Sequence, residues 1–450
     1  MKIGFKTGTA AFAVLAALGL GAMPAAAADL GGDCCADLEE RIAELEATTA
    51  RKGNRKVKLE VSGHVNEALI FWDDGFEDNV GVYTNDNSRT RFRFKGSAKI
   101  TDDVKAGYLL EIGVRSANSK RFTQDDPNPA DEAGLDVRHS AWYVESKSLG
   151  TVWVGRTGPA AEGITEINLA NTKDVAKFSD VEDSALGLFV RTPGGGTTNL
   201  QFRRAIRDTG DQPGESERGQ IVKYVSPEFG GFAVTAAWGA DDYWDIGMNF
   251  KGEFGGFKMA AGIAYGRETS KNAPTDTDSY QIGNCRMVDD NLNFECDQVG
   301  GSASIMHEDT GLYVTAGAGW SQTDAVDGLY GGNADDESTF YSIEAGIERK
   351  FFPIGKTTLF AQYYDVDSGS TDRAVSVDGV ATGGSVIGAD LQMYGGGIVQ
   401  EVSAASMLLY VYYRHVEADF DLANIGTGAP VVGPGFEDLD MVVAGGMIKF

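Results

Sequence analysis

Residues 89–100 read Arg89-Thr-Arg-Phe-Arg-Phe-Lys-Gly-Ser-Ala-Lys-Ile100. Successive side chains of an extended chain point to opposite faces. Phe92, Phe94, Ala98 and Ile100 therefore share one face. Arg91, Arg93, Lys95 and Lys99 take the other, and Arg89 extends the basic row. One such strand fits either a soluble sandwich or a barrel whose outer face meets lipid. The rest of the chain decides.

Period two runs from Val57 onward. Val57, Leu59, Val61 and Val65 alternate with Lys58, Glu60, Ser62 and His64; Tyr108, Leu110, Ile112 and Val114 oppose Glu111 and Arg115. The pattern predicts strands near 57–72, 89–100, 104–116, 137–147, 150–156, 219–226, 232–240, 243–252, 256–267, 298–307, 311–321, 339–349, 356–366, 390–401, 404–417 and 438–450. Sixteen is an even number, as single-chain bacterial outer-membrane barrels have. Connections such as 101–103, 148–149, 253–255 and 308–310 are short. Those at 73–88, 117–136, 157–218, 268–297, 322–338, 367–389 and 418–437 are long. The two kinds alternate, save at 241–242. Short turns on one rim and long loops on the other suit an outer-membrane barrel, and a sandwich has no reason to segregate them.

Phe71-Trp72, Tyr243-Trp244, Phe351-Phe352, Tyr363-Tyr364 and Tyr412-Tyr413 lie near strand ends, where interfacial girdles are expected. Val442, Ala444, Gly446 and Ile448 form an apolar face that ends on Phe450, expected to mark the strand that closes on the first. The expected fold class is all-β: a transmembrane antiparallel β-barrel of sixteen strands over 57–450.

Lys and Arg total 39 against 66 Asp and Glu, a net charge of −27. So acidic a chain lacks the basic face that nucleic acid requires. Glycine numbers 59 and proline 11, a balance that suits many turns between many strands. Lys2 and Lys6 precede the apolar run 10–20 and Ala25-Ala26-Ala27-Ala28, which predicts a signal peptide over 1–28. Residues 29–56 read as a linker with a short helical segment. Leu38, Ile42 and Leu45 form a stripe that suits either a short coiled coil in an oligomer or a single surface helix. Cys34 and Cys35 are adjacent. Cys285 and Cys296 enclose a polar stretch and are a candidate loop disulfide of an exported protein.

The stretch Asp33-Cys-Cys-Ala-Asp-Leu-Glu-Glu-Arg-Ile-Ala-Glu-Leu-Glu46, followed by Arg55-Lys-Val-Lys-Leu-Glu-Val-Ser-Gly-His-Val-Asn-Glu-Ala68, resembles the alphaproteobacterial general porins of rhizobial type. Gly150-Thr-Val-Trp-Val-Gly-Arg156 looks like the strand that leads into the pore loop of porins generally, and Tyr224-Val-Ser-Pro-Glu-Phe-Gly-Gly-Phe232 like the segment after that loop. The resemblance covers essentially the whole exported chain. It implies a homotrimer of sixteen-stranded barrels, each with the loop after the fifth strand folded into its lumen. Its implied partners are outer-membrane lipid, lipopolysaccharide, the barrel-assembly machinery and small hydrophilic solutes.

A diffusion pore needs a constriction and charges that sort solutes, with no catalytic group. The expected basic wall is Arg89, Arg91, Arg93, Lys95, Arg115, Arg138 and Arg156. The long segment 157–218 carries Glu162, Glu166, Asp174, Asp180, Glu182 and Asp183, with Lys173 and Lys177 between them. Folded inward, these acids would face the arginines across the pore. Residues 186–207 carry a hairpin pattern around Pro193-Gly194-Gly195-Gly196. It belongs either to the loop or to two further strands, making eighteen; Leu186–Thr192 is short for a spanning strand, which favours the loop. The acidic loops favour cations and the arginine wall anions, and a weak cation preference is expected. An enzyme is disfavoured, because the chain has four histidines and none sits in a nucleophile motif. Neither a cofactor nor a metal is expected. A substrate-specific channel is the alternative reading.

Overall fold

The computed structural model describes residues 57–129, 134–206, 212–240, 242–270, 294–324, 332–370, 373–424 and 427–450. Among these, sixteen strands close on themselves. They are β1 (Lys58–Asp73), β2 (Arg91–Lys99), β3 (Val104–Arg115), β4 (Gly134–Ser146), β5 (Gly150–Thr157), β6 (Gly219–Val225), β7 (Phe232–Gly239) and β8 (Trp244–Phe254). The second half holds β9 (Phe257–Ser270), β10 (Phe294–His307), β11 (Leu312–Thr323), β12 (Glu337–Phe352), β13 (Gly355–Gly369), β14 (Val380–Val402), β15 (Met407–Asn424) and β16 (Leu439–Lys449). Each pairs antiparallel with its neighbour in sequence, and β5 meets β6 across the long segment between them. β16 returns to β1, from His64 opposite Lys449 to Asp73 opposite Asp440. Beyond that register Gly63 and Phe450 exchange both backbone hydrogen bonds, at 2.9 and 3.0 Å. Closure pairs the backbone of the two end strands, which is what a sheet in hydrocarbon requires.

Short turns have local causes. Between β8 and β9, Gly255 and Gly256 have φ of 59° and 81°, the left-handed pair that a two-residue hairpin needs to match strand twist. All sixteen expected strands appear. The ends differ where strands project beyond the barrel: β14 begins at Val380 and β15 continues to Asn424, the two paired as a ribbon. A further strand, Asp78–Thr84, folds back on the outer half of β1, beside which β2 has already ended. The hairpin of the long segment is Phe189–Arg191 with Thr197–Gln201, and it stays outside the barrel ladder. The barrel therefore has sixteen strands and not eighteen.

The outward face is apolar: Val61, Trp142, Val144, Val152, Val222, Ile263 and Leu359 are exposed. The inward face differs by sector. On β2–β4 it is charged. On β12–β16 it is largely apolar, with Phe340, Tyr364, Leu391, Met393, Tyr412 and Met441 buried beside the polar Glu344, Gln362 and Arg414. The apolar side chains pack with Val175, Val181, Leu186, Leu188, Val190, Leu200 and Phe202 of the segment 158–218 in one cluster. Each fully buried side chain of this size contributes about 1.5–3 kcal/mol. The aromatic doublets divide accordingly. Trp244, Phe351, Phe352 and Tyr413 are exposed, whereas Trp72, Tyr243, Tyr364 and Tyr412 are buried. Period two turns adjacent rings to opposite faces, so each of the other four doublets buries one ring, whereas Phe351 and Phe352 at the end of β12 are both exposed.

Candidate functional site

Inside the barrel a cleft of about 330 Å³ runs between the charged wall and the segment 158–218. Arg89, Arg91 and Arg138 line it from the wall; Glu162, Glu166, Asp174, Asp180, Glu182, Asp183 and Arg218 line it from the segment.

Strand register builds the basic side. Arg91 and Arg93 share the inward parity of β2, and Glu111 of β3 stands directly opposite Arg93. The β3–β4 ladder shifts register after Glu111, which pairs with His139 while Ile112 pairs with Val137. Arg138 is the extra residue of this bulge. Val137 and Ser140 face outward on either side, and Arg138 is turned in and buried. Glu111 gathers the guanidinium groups. Its Oε1 accepts from Arg138 Nε at 2.9 Å and Arg91 Nη1 at 3.4 Å, and its Oε2 accepts from Arg93 Nε at 2.6 Å. Arg89 lies before β2, bonded to Asp86 at 2.9 Å and to Asp136 at 3.2 Å. Asp86 and Asp136 hold its guanidinium pKa high despite burial.

Two short 3-10 turns, Asn171–Asp174 and Val181–Asp183, carry Asp174, Glu182 and Asp183 of the acidic side. Lys177 Nζ lies 2.8 Å from Glu166, 2.5 Å from Asp180 and 3.8 Å from Asp183. Lys120 lies 3.3 Å from Glu182 and 3.9 Å from Asp183. Glu162 pairs with Arg218. Burial opposes ionisation of Glu162, but Arg218, with His139, Arg138 and Lys223, outweighs it and holds the carboxyl at about 2. Burial likewise opposes ionisation of Asp180, and Lys177 overrides it. Oxygens of Glu166, Asp180 and Glu215 lie within 4.8 Å of one another, a crowded group of carboxylates. The ammonium of Lys177 supplies positive charge there.

Glycines on the wall let the segment approach. A Cβ on Gly317 would sit 2.8 Å from Thr165 O, and one on Gly319 would sit 2.1 Å from Pro213 O. Side chains pin the rest. Asn168 and Thr172 bond Glu344 at 3.0 and 2.6 Å, Gln362 bonds Ala176 O at 2.6 Å, and Ser302 bonds Ile164 O at 2.6 Å. Arg191 ties the hairpin to the first loop, 2.9 Å from Asp74 and 2.5 Å from Glu77.

Several expected residues stand elsewhere. Arg93 binds Glu111 without lining the cleft, Arg115 stands 3.9 Å from Asp136, and Lys95 is exposed on the inward parity of β2. Arg156 is corrected: it shares the parity of exposed Val152, opposes exposed Gln220, and donates to Val137 O at 2.9 Å. It faces outward and belongs to no lumenal wall. Sequence reasoning missed Glu111 as the organiser and Arg218, Lys120, Asp86 and Glu215 as lining groups. The run Glu215-Ser-Glu-Arg218 just before β6 was the available signal. Cys296 is buried on β10; Cys34, Cys35 and Cys285 lie outside the described residues, as does the N-terminal helical segment.

The sequence profile of the Gram-negative porin family matches residues 11–426. The chain belongs to that family. This porin is an outer-membrane, multi-pass β-barrel for passive diffusion. No curated protein matches it. An anion-selective porin from Comamonas acidovorans is 14% identical with TM-score 0.51, over 88% of this chain and 100% of that one. OmpT, an outer membrane protein of Vibrio cholerae, is 13% identical with TM-score 0.49, over 89% and 99%. OmpF of Salmonella typhi in complex with daunomycin is 14% identical with TM-score 0.49, over 88% and 98%.

Proposed function

We propose that the cleft is the porin's constriction, and that the protein works as a general diffusion channel for small hydrophilic solutes and ions with a weak cation preference. The observation that carries this is one lumenal cleft lined both by Arg89, Arg91, Arg138 and Arg218 and by a dense group of carboxylates. Such an arrangement sets up a transverse field that orients dipolar solutes and slows apolar ones. Arg93, Lys95 and Arg115 extend the basic wall away from the narrowest part.

The N-terminal motif supports the finer assignment to the alphaproteobacterial general porins, and with it a homotrimer in contact with lipopolysaccharide and assembled by the barrel-assembly machinery. In this reading residues 1–28 are removed on export, 29–56 form the linker and helical segment, and Cys285 pairs with Cys296. Phe450 is the barrel-closing terminus.

Liposome swelling tests the channel. Vesicles carrying the purified protein are expected to swell in small neutral sugars, at rates that fall steeply with solute size. Equal rates with and without protein would contradict it.

A further inference from the structure

Glu215 returns to the cleft from the far end of the segment 158–218, three residues before Arg218. Its Oε1 accepts from Thr165 N at 2.9 Å and from the Thr165 hydroxyl. Gln212 braces the arrangement, donating to Thr165 Oγ1 and accepting from Asp180 N, both at 2.5 Å. Glu166, Asp180 and Glu215 thus share a space less than 4.8 Å across, and Lys177 bonds the first two. Asp183 joins the same lysine from the next turn.

The groups facing this cluster come from four directions. Asp86 and Arg89 approach from the segment before β2, and Lys120 from the β3–β4 loop. Glu182 stands beside Asp183 on its own turn, and Tyr412 and Arg414 approach from β15. Acids crowd the lysines. Carboxylates that share a buried site cannot all ionise, so protons make up the difference.

We infer that Glu215, with Asp183 and Glu166, determines the ion selectivity of the constriction by sharing exchangeable protons within this crowded group of carboxylates. The inference rests on the reading of the cleft as the constriction. Burial, reinforced by Asp180, pushes Glu215 up to about 8. Burial pushes Asp183 up to about 7, against Lys177 and Lys120. Burial and Asp180 raise Glu166 well above the ordinary range. Asp180 and Glu162, at about 2, stay charged throughout. An acid with a raised pKa loses its proton only as pH climbs through that raised value. The cleft therefore gains negative charge between about pH 6 and about pH 9, and the porin grows more cation-selective. One unit charge about 6 Å from the path, at a water-like dielectric, changes local cation occupancy about threefold.

The test is the reversal potential of the full-length porin in a planar bilayer under a KCl gradient, titrated across that range. The cation-to-anion permeability ratio is expected to rise about threefold or more with pH. Glu215→Gln keeps an acceptor for Thr165 and is expected to remove part of the rise; Glu215→Gln with Asp183→Asn is expected to remove most of it. A conducting wild type whose ratio stays constant overturns the inference alone, as does a double variant that titrates like the wild type. A protein that conducts at no pH overturns the constriction reading as well.

Discussion

Glu111 shows how one buried carboxylate organises a field. It is fully buried and is bonded to Arg91, Arg93 and Arg138. Replacing it with Gln removes the shared counter-charge of crowded guanidinium groups. Breaking a buried pair from one side costs about 3–5 kcal/mol, so Glu111→Gln is expected to lower the melting temperature of the folded barrel in detergent clearly. Lys99 and Asp102 form a pair exposed to solvent, and Lys99→Gln is expected to leave the melt unchanged. A second prediction separates lumen from lipid face. Arg138→Gln and Arg218→Gln are expected to raise cation preference, each by about threefold for one charge lost near the path. Arg156→Gln is expected to leave the reversal potential where it is. The position of Arg156 was legible, because it shares parity with Val152 and Val154. Counting its charge without that parity led to the wrong face. Arg138 belongs to the expected wall, but the parity of Trp142 and Val144 alone would turn it outward; its inward turn depends on a one-residue bulge that the β3–β4 register reveals.

At the scale of elements, the segment 158–218 carries its own core onto the wall. Phe202, Leu188 and Val190 are fully buried there. Phe202→Ala is expected to cost about 3–5 kcal/mol of local packing. The barrel ladder does not pass through this residue, so the folded barrel is expected to persist while limited proteolysis cuts within 186–206 faster than in the wild type. Cleavage at an unchanged rate would show that the hairpin is held by its ties at Arg191 rather than by packing. The sixteen strands were readable because lipid outside and polar groups inside impose alternation on each. The apolar plug was not. Leu439-Asp-Met-Val-Val-Ala-Gly-Gly-Met-Ile448 is apolar on both faces, and a continuous apolar run says that both sides are covered without saying by what. The covering side chains lie about 240 residues away in sequence.

For the molecule as a whole, closure and filling divide the work. Backbone pairing from β1 round to β16 lets the chain sit in hydrocarbon. A largely apolar half-plug on β12–β16 leaves the charged sector of β2–β4 beside the cleft, and in the proposed reading that sector is the wall a solute meets. The whole-chain balance of −27 adds to the acidic side of that passage. The central claim is that water and ions cross through this narrowed lumen. Single-channel recording of the purified native oligomer in a planar bilayer tests it most directly. The account predicts stepwise ohmic openings with a modest cation-selective reversal potential, closing in thirds if the oligomer is a trimer. A correctly folded barrel that inserts and passes no current would contradict it.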